Sequence, residues 1–92
     1  MPLLTVIIPV YNEEKTIRQI IEKINSVNIN KEVVVVDDGS SDNTAKVLME
    51  TRYPNLKIIH HTTNRGKGAA VLTALEHACG DYVIIQDADL EY

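Results

Sequence analysis

The sequence predicts an α/β fold: a parallel sheet alternating with helices in the order β-α-β-α-β-α-β, with the strands lying side by side as 3-2-1-4. Three observations carry this. Short apolar, β-branched runs recur at 3–8, 32–36, 56–59 and 82–86. The segments between them repeat their apolar residues at helical spacing. Strands that alternate with helices need crossover connections, and right-handed crossovers make the strands parallel.

Residues 3–8 are almost continuously apolar, as in a strand covered on both faces, and Pro9 ends the run or takes its last position. Asn12 is a good N-cap for the helix that follows, and Glu13 and Glu14 suit the positive end of its dipole. Ile17, Ile20, Ile21, Ile24 and Val27 form its apolar stripe. A polar connection at 28–30 leads to Glu32 and four consecutive valines, the second strand. This strand runs straight into Asp37-Asp38-Gly39-Ser40-Ser41-Asp42. Gly39 permits a turn with positive φ. Ser41 or Asp42 caps the second helix, which carries Ala45, Leu48 and Met49 on its apolar side. Tyr53-Pro54-Asn55 breaks that helix, and 56–59 is the third strand. After Arg65-Gly66-Lys67-Gly68, the third helix turns Ala70, Val71, Ala74, Leu75 and Ala78 inward. Gly80 ends it as the residue beyond the cap. The fourth strand starts at Tyr82, and 83–85 reads as buried.

A chain of 92 residues is enough for one small domain, spanning 1–92. With four Tyr and no Phe or Trp, the core falls to Ile, Val, Leu and Ala. A net charge of −4 argues against a nucleic-acid surface. Cys79 is the single cysteine, which excludes an intrachain disulfide and a cysteine-cluster metal site. Its place near a helix end suggests a small core residue. No apolar run reaches transmembrane length and the first residues do not read as a signal peptide. A reducing, cytoplasmic setting is expected.

In a parallel sheet every strand's carboxyl end lies on one edge, and ligands bind there, where the strand order reverses. The unusual residues collect at that edge: Pro9, Tyr11 and Glu13 after strand one, Asp37-Asp38-Gly39-Ser40 after strand two, Arg65-Gly66-Lys67-Gly68 before helix three, and Asp87-Ala88-Asp89 after strand four. In extended chain Asp87 and Asp89 point the same way, and Glu91 continues the row. Carboxylates that close repel one another, and a hard divalent cation, Mg²⁺ or Mn²⁺, removes the conflict. Ala88 leaves room for something bulky against the backbone. The chemistry these groups share is binding of a nucleoside diphosphate. Tyr11 offers a flat face to a base and Glu13 accepts from ribose hydroxyls. Asp38 accepts from a base N–H. Asp37 does the same or holds the turn by accepting backbone amides. Lys67 and Arg65 meet phosphates beside glycines whose amides are accessible. His60 and His61 read as surface or packing residues.

Four stretches in this order resemble the GT-A glycosyltransferases of family 2: residues 6–13 (Val-Ile-Ile-Pro-Val-Tyr-Asn-Glu), 35–44 (Val-Val-Asp-Asp-Gly-Ser-Ser-Asp-Asn-Thr), 64–70 (Asn-Arg-Gly-Lys-Gly-Ala-Ala) and Asp87-Ala88-Asp89. The first and third look most like the branch that moves a sugar onto a polyprenyl or dolichyl phosphate. The resemblance implies a Rossmann-like sheet forming the N-terminal half of a GT-A fold. It implies a UDP- or GDP-sugar donor, a Mg²⁺ or Mn²⁺ ion, and an acceptor such as polyprenyl phosphate at the cytoplasmic face of a membrane. By position it gives the nucleoside to Pro9, Tyr11, Glu13 and Asp38. The catalytic aspartates would be Asp87, at the donor, and Asp89, on the metal. Glu91 stands where relatives often carry a metal-binding Gln. Family members continue well beyond this acidic motif, so the chain is expected to be the donor-binding part, without the acceptor site and inactive in transfer by itself.

A nucleotide-binding module without catalysis is the main rival reading. A phosphorylation receiver needs its acidic pair after strand one, where Pro9 and Tyr11 stand. A sugar nucleotidylyltransferase or a dinucleotide-binding dehydrogenase needs a glycine-rich loop there, and none is present. In the 3-2-1-4 order the fourth strand is a border with an unpaired row of backbone groups. Its uncharged Tyr-Val-Ile-Ile-Gln lacks the usual protection of an edge, so self-association through it is expected.

Overall fold

A computed structural model describes residues 2–88. Asp89 and Glu91 therefore lie outside the described residues. The elements follow the expected order: β1 (Leu4–Val10), α1 (Ile17–Asn25), β2 (Lys31–Asp38), α2 (Thr44–Glu50), β3 (Leu56–His61), α3 (Lys67–Glu76) and β4 (Tyr82–Ile85). All pairings are parallel, and the sheet order is β3-β2-β1-β4.

The central strands are apolar on both faces because helices cover both. Val6, Ile8 and Val10 of β1 and Val33 and Val35 of β2 pack with Ile17, Ile20, Ile21 and Leu48 of α1 and α2. On the opposite face Ile7, Val34 and Val36 meet Ala70 and Ala74 of α3. Alanines let that helix lie close to the sheet.

The strands run further toward the ligand edge than the apolar runs suggest. β1 continues through Pro9 to Val10, and β2 continues through both aspartates. Proline is tolerated in β1 because its missing N–H faces the β4 side. Two residues earlier the Ile7 carbonyl still accepts from Gln86 N at 2.8 Å, and beyond that β4 has ended. β2 is extended by pairing, with Asp37 opposite His60 and Asp38 opposite His61.

Several expectations are corrected. Asn12 does not cap α1: the N-cap is Thr16, and Asn12 sits in the left-handed region at φ 54°. Gly80 does not end α3, which stops at Glu76 with His77 as its cap. Its hydrogen side chain is needed instead because a Cβ would collide with the backbone of Thr5. Cys79 is an exposed thiol and not a core residue, because the helix has ended before it. Val27, Met49 and Leu75 are also exposed, each beyond or beside the face its helix buries. β4 is not buried: its four residues are 41–67% exposed, since among the described residues it pairs on one side only and carries no covering layer.

At the opposite edge of the sheet a buried acid ties three elements together. Glu32 accepts from Thr5 Oγ1 (2.6 Å), Cys79 N (2.5 Å) and Lys57 Nζ (2.9 Å), while Thr5 Oγ1 accepts from Gly80 N at 2.9 Å. Burial pushes the Glu32 carboxyl up, but these hydrogen bonds outweigh it and hold the group below its ordinary value.

Candidate functional site

The carboxyl ends of the strands enclose a cleft of about 290 Å³. Pro9, Tyr11 and Glu13 line it from the first connection, Asp38 from β2, Asn64, Gly66 and Lys67 from the third connection, Ala70 from α3, and Asp87 and Ala88 from the end of β4. Six residues singled out in the sequence thus share one cleft: Pro9, Tyr11, Glu13, Asp38, Lys67 and Asp87. Asp37 is not among the lining residues. Adjacent strand residues face opposite ways, so Asp37 turns to the α1 and α2 side while Asp38 turns to the α3 side. Asp37 holds its own turn, accepting from Ser40 N at 3.1 Å and pairing with His60 Nδ1 at 3.0 Å.

Asp38 is more deeply engaged than its type suggests. Oδ1 accepts from His61 Nδ1 (2.8 Å) and Arg65 N (2.9 Å), and Oδ2 accepts from Gly66 N (2.8 Å). A carboxylate only accepts, so the His61 proton must sit on Nδ1, and Nε2 meets Thr73 Oγ1 at 2.8 Å. Burial raises the Asp38 carboxyl, but the bonds from His61, Arg65 and Gly66 win and keep it below the usual carboxylate value. The Gly66 amide is therefore not free for a phosphate, contrary to expectation. Of the two roles expected for His61, surface or packing, the structure gives the second: it is a buried part of the frame. The register that sets Asp38 against His61 is the signal for it, and it appears only once the strands are paired.

The first and second connections are clasped together. The Asn12 side-chain carbonyl accepts from Ser41 N (2.8 Å) and Asp42 N (3.3 Å), while Asn12 N donates to Ser40 Oγ at 2.9 Å. Glu13 N donates to Thr44 Oγ1 (2.9 Å) and Glu14 N to Asp42 Oδ2 (3.3 Å). Asp42 also accepts from Thr44 N at 2.9 Å, but the N-cap of α2 is Asn43 and not Ser41 or Asp42, because the Asp42 side chain is drawn into the clasp between the connections. Burial raises the Asp42 carboxyl, and the bonds from Thr44 and Glu14 more than reverse this. Gly39, at φ 70°, completes the frame: a Cβ there would stand 2.5 Å from Asn64 N, so the second connection touches the third backbone to backbone.

What these scaffolding bonds leave open is the Tyr11 ring, 47% exposed, the Glu13 carboxylate and the Asp87–Lys67 ion pair. The Arg65 side chain does not line the cleft. The Asp87 carboxylate is 60% exposed and already carries a cationic group, the Lys67 ammonium. An exposed carboxylate beside open space suits Mg²⁺ or Mn²⁺, which take one or two protein carboxylates and fill their shell with phosphate oxygens and water. Among the described residues no group of three or more His, Cys, Asp or Glu side chains is gathered to hold a metal, and none of their helices is long and apolar enough to cross a membrane.

Comparison with known proteins matches this architecture. The chain is 39% identical over 94 residues to a dolichyl-phosphate beta-glucosyltransferase of Trichomonas vaginalis, covering 90% of this chain and 29% of that protein. It is 37% identical over 92 residues to a dolichol-phosphate mannosyltransferase of Pyrococcus furiosus, covering 96% of this chain and 26% of that one. The solved structure of a mannosyltransferase from Pyrobaculum calidifontis, in complex with GDP-Man and Mn²⁺, superposes with a TM-score of 0.89 at 39% identity, over 96% of this chain and 28% of that one. The chain thus spans less than a third of the length of each of these relatives. The family model described as glycosyl transferase family 2 matches residues 5–92, from the start of β1 through the acidic motif, and the chain belongs to that family.

Proposed function

We propose that this chain is the donor-binding part of a glycosyltransferase, holding a nucleoside-diphosphate sugar and a divalent cation in the cleft at the carboxyl edge of its sheet. The observation that carries the reading is the meeting of Tyr11, Glu13, Asp38, Lys67 and Asp87 around one cleft, from four separate strand ends. Tyr11 lies against the base and Glu13 accepts from the ribose hydroxyls. Asp38 fixes the wall of the base pocket and offers the remaining lone pair of Oδ2 to a base N–H. Lys67 leaves Asp87 for the diphosphate, and Asp87 turns to the donor. Asp89 and Glu91 supply further carboxylates to Mg²⁺ or Mn²⁺. When bound, the metal neutralises the charge that develops on the departing nucleoside diphosphate.

In the whole protein the sugar passes to a polyprenyl phosphate at a membrane surface facing the cytoplasm. The two dolichyl-phosphate transferases among its relatives support that acceptor. An acceptor phosphate is already an anionic nucleophile, so it makes little demand for a strong base. Residues 1–92 by themselves bind donor without transferring it, and they pair with a second copy through the open edge of β4.

Calorimetric titration with UDP and with GDP, each with and without Mn²⁺, tests the reading. Binding of one nucleotide that strengthens with Mn²⁺ is expected. No binding of either, with or without the metal, overturns it.

A further inference from the structure

We propose that Thr16 is a positioning residue that joins the nucleoside end of the cleft to its acidic end through a single hydroxyl. The inference rests on the nucleotide-and-metal reading above. Thr16 is the N-cap of α1, where a threonine hydroxyl ordinarily accepts from an amide of the first turn. Here it makes no such bond. Its one proton is directed instead to two acceptors on different elements, the Glu13 carboxylate at 3.1 Å and the main-chain carbonyl of Ala88 at 2.9 Å.

A second observation concerns Ala88, the residue between Asp87 and Asp89. The residue is 5% exposed and packs in the core cluster that contains Ile17 and Ile20. The small residue is thus an anchor beneath α1 as well as part of the cleft wall. Ala88 is held at two points, its methyl by the core and its carbonyl by Thr16. Fixing the Cβ and the carbonyl of one residue fixes the peptide plane that follows it and places its nitrogen, which leaves the preceding plane only rotation about φ. The direction of Asp87 is thereby restrained from α1. The same hydroxyl restrains the carboxylate proposed for the ribose. Losing it loosens both ends of the cleft and leaves the core as it was.

The test uses the chain as it stands, with UDP or GDP, whichever the parent prefers, and Mn²⁺. Thr16→Val is nearly isosteric and removes the hydroxyl. Thr16→Ala removes it with less bulk, in case valine perturbs the helix start. Thr16→Ser keeps it. Loss of one hydrogen bond predicts a drop of about fivefold in Mn²⁺-supported nucleotide affinity for Val and Ala, with melting temperatures near the parent's, and recovery in Ser. Parental affinity in Thr16→Val and Thr16→Ala, or a Ser variant as weak as they are, overturns the role of the hydroxyl. A parent without Mn²⁺-supported affinity overturns the donor-site reading first, and this inference with it.

Discussion

Asp38→Asn is the sharpest probe of the frame, because the change is one atom and the partners are known. The carboxylate serves three donors: His61 and Arg65 at Oδ1, Gly66 at Oδ2. Asparagine has one acceptor oxygen. Placed at the Oδ1 position it keeps two bonds, and its amide nitrogen then faces the Gly66 N–H, donor against donor. An orphaned amide costs about 1–3 kcal/mol, and loss of charge weakens each remaining bond by roughly half a kcal/mol or more. The sum is about 2–4 kcal/mol, which in a domain of this size lowers the melting temperature by roughly 10–25 °C. Thermal melts followed by circular dichroism measure this. Titration with UDP or GDP without metal, below the variant's transition, should show weaker binding because the Arg65-Gly66-Lys67 segment is no longer held. A melting temperature within roughly 2 °C of the parent would refute the claim that the carboxylate carries the loop. A clear loss of stability with parental affinity would separate the loop from the cleft.

Three further outcomes follow from the same geometry. Asn12→Gly keeps the left-handed backbone but drops the acceptor for Ser41 and Asp42, so chemical denaturation should show a loss of about 1–2 kcal/mol, while Asn12→Asp stays near the parent; equal losses would mean the clasp is unimportant. Glu32, Asp38 and Asp42 all have depressed carboxyl values, so the stability they contribute is complete above their ordinary values of 4.5, 3.8 and 3.8 and is lost as pH falls through the depressed ones; denaturation midpoints flat from pH 7 down to pH 3 would contradict this. Ile84→Lys should abolish concentration-dependent light scattering if β4 pairs with a second copy, and a parent that is monomeric at every concentration removes the premise.

The order and direction of the strands were legible because β-branched runs and helical stripes differ in period. What the sequence hid depends on pairing. From the sequence the ends of β1 and β2 read short because Pro9, Asp37 and Asp38 look like strand breakers, and only the neighbouring strands reveal that they continue the ladder. The membership of the cleft was readable from strand ends, so Tyr11, Glu13, Asp38, Lys67 and Asp87 were found. Their division of labour was not. Asn12 resembles a helix cap until its φ is known, and whether His61 is a surface or a packing histidine is decided only when β3 is laid beside β2. The run 83–85 reads as buried because three apolar residues look alike in a covered strand and in an open border.

The division among the acids bears on why the proposed cation would suit this cleft. Asp37, Asp38 and Asp42 are each bonded to backbone amides of the connections. Their negative charge is matched locally and contributes little at a ligand's position. Glu13 and Asp87 are different: among the described residues their carboxylates meet Thr16 Oγ1 and the Lys67 ammonium rather than a backbone amide. Apart from the amide-bonded Asp38, a diphosphate entering here meets the Glu13 and Asp87 carboxylates and, among the described lining residues, one ammonium, that of Lys67. The chain's net charge of −4 adds to the repulsion. Two unit charges 4 Å apart repel by about 4 kcal/mol at an effective dielectric near 20, enough to outweigh a good hydrogen bond. The Gly66 amide, a natural donor to phosphate, is already committed to Asp38. A divalent cation beside Asp87 reverses the sign of that end of the cleft and leaves Lys67 able to pair with phosphate oxygen. The reading therefore requires nucleoside diphosphates to gain far more from Mn²⁺ than the corresponding nucleosides do. Equal gains for UDP and uridine, or for GDP and guanosine, would place the metal away from the phosphates and break the link between Asp87 and the donor.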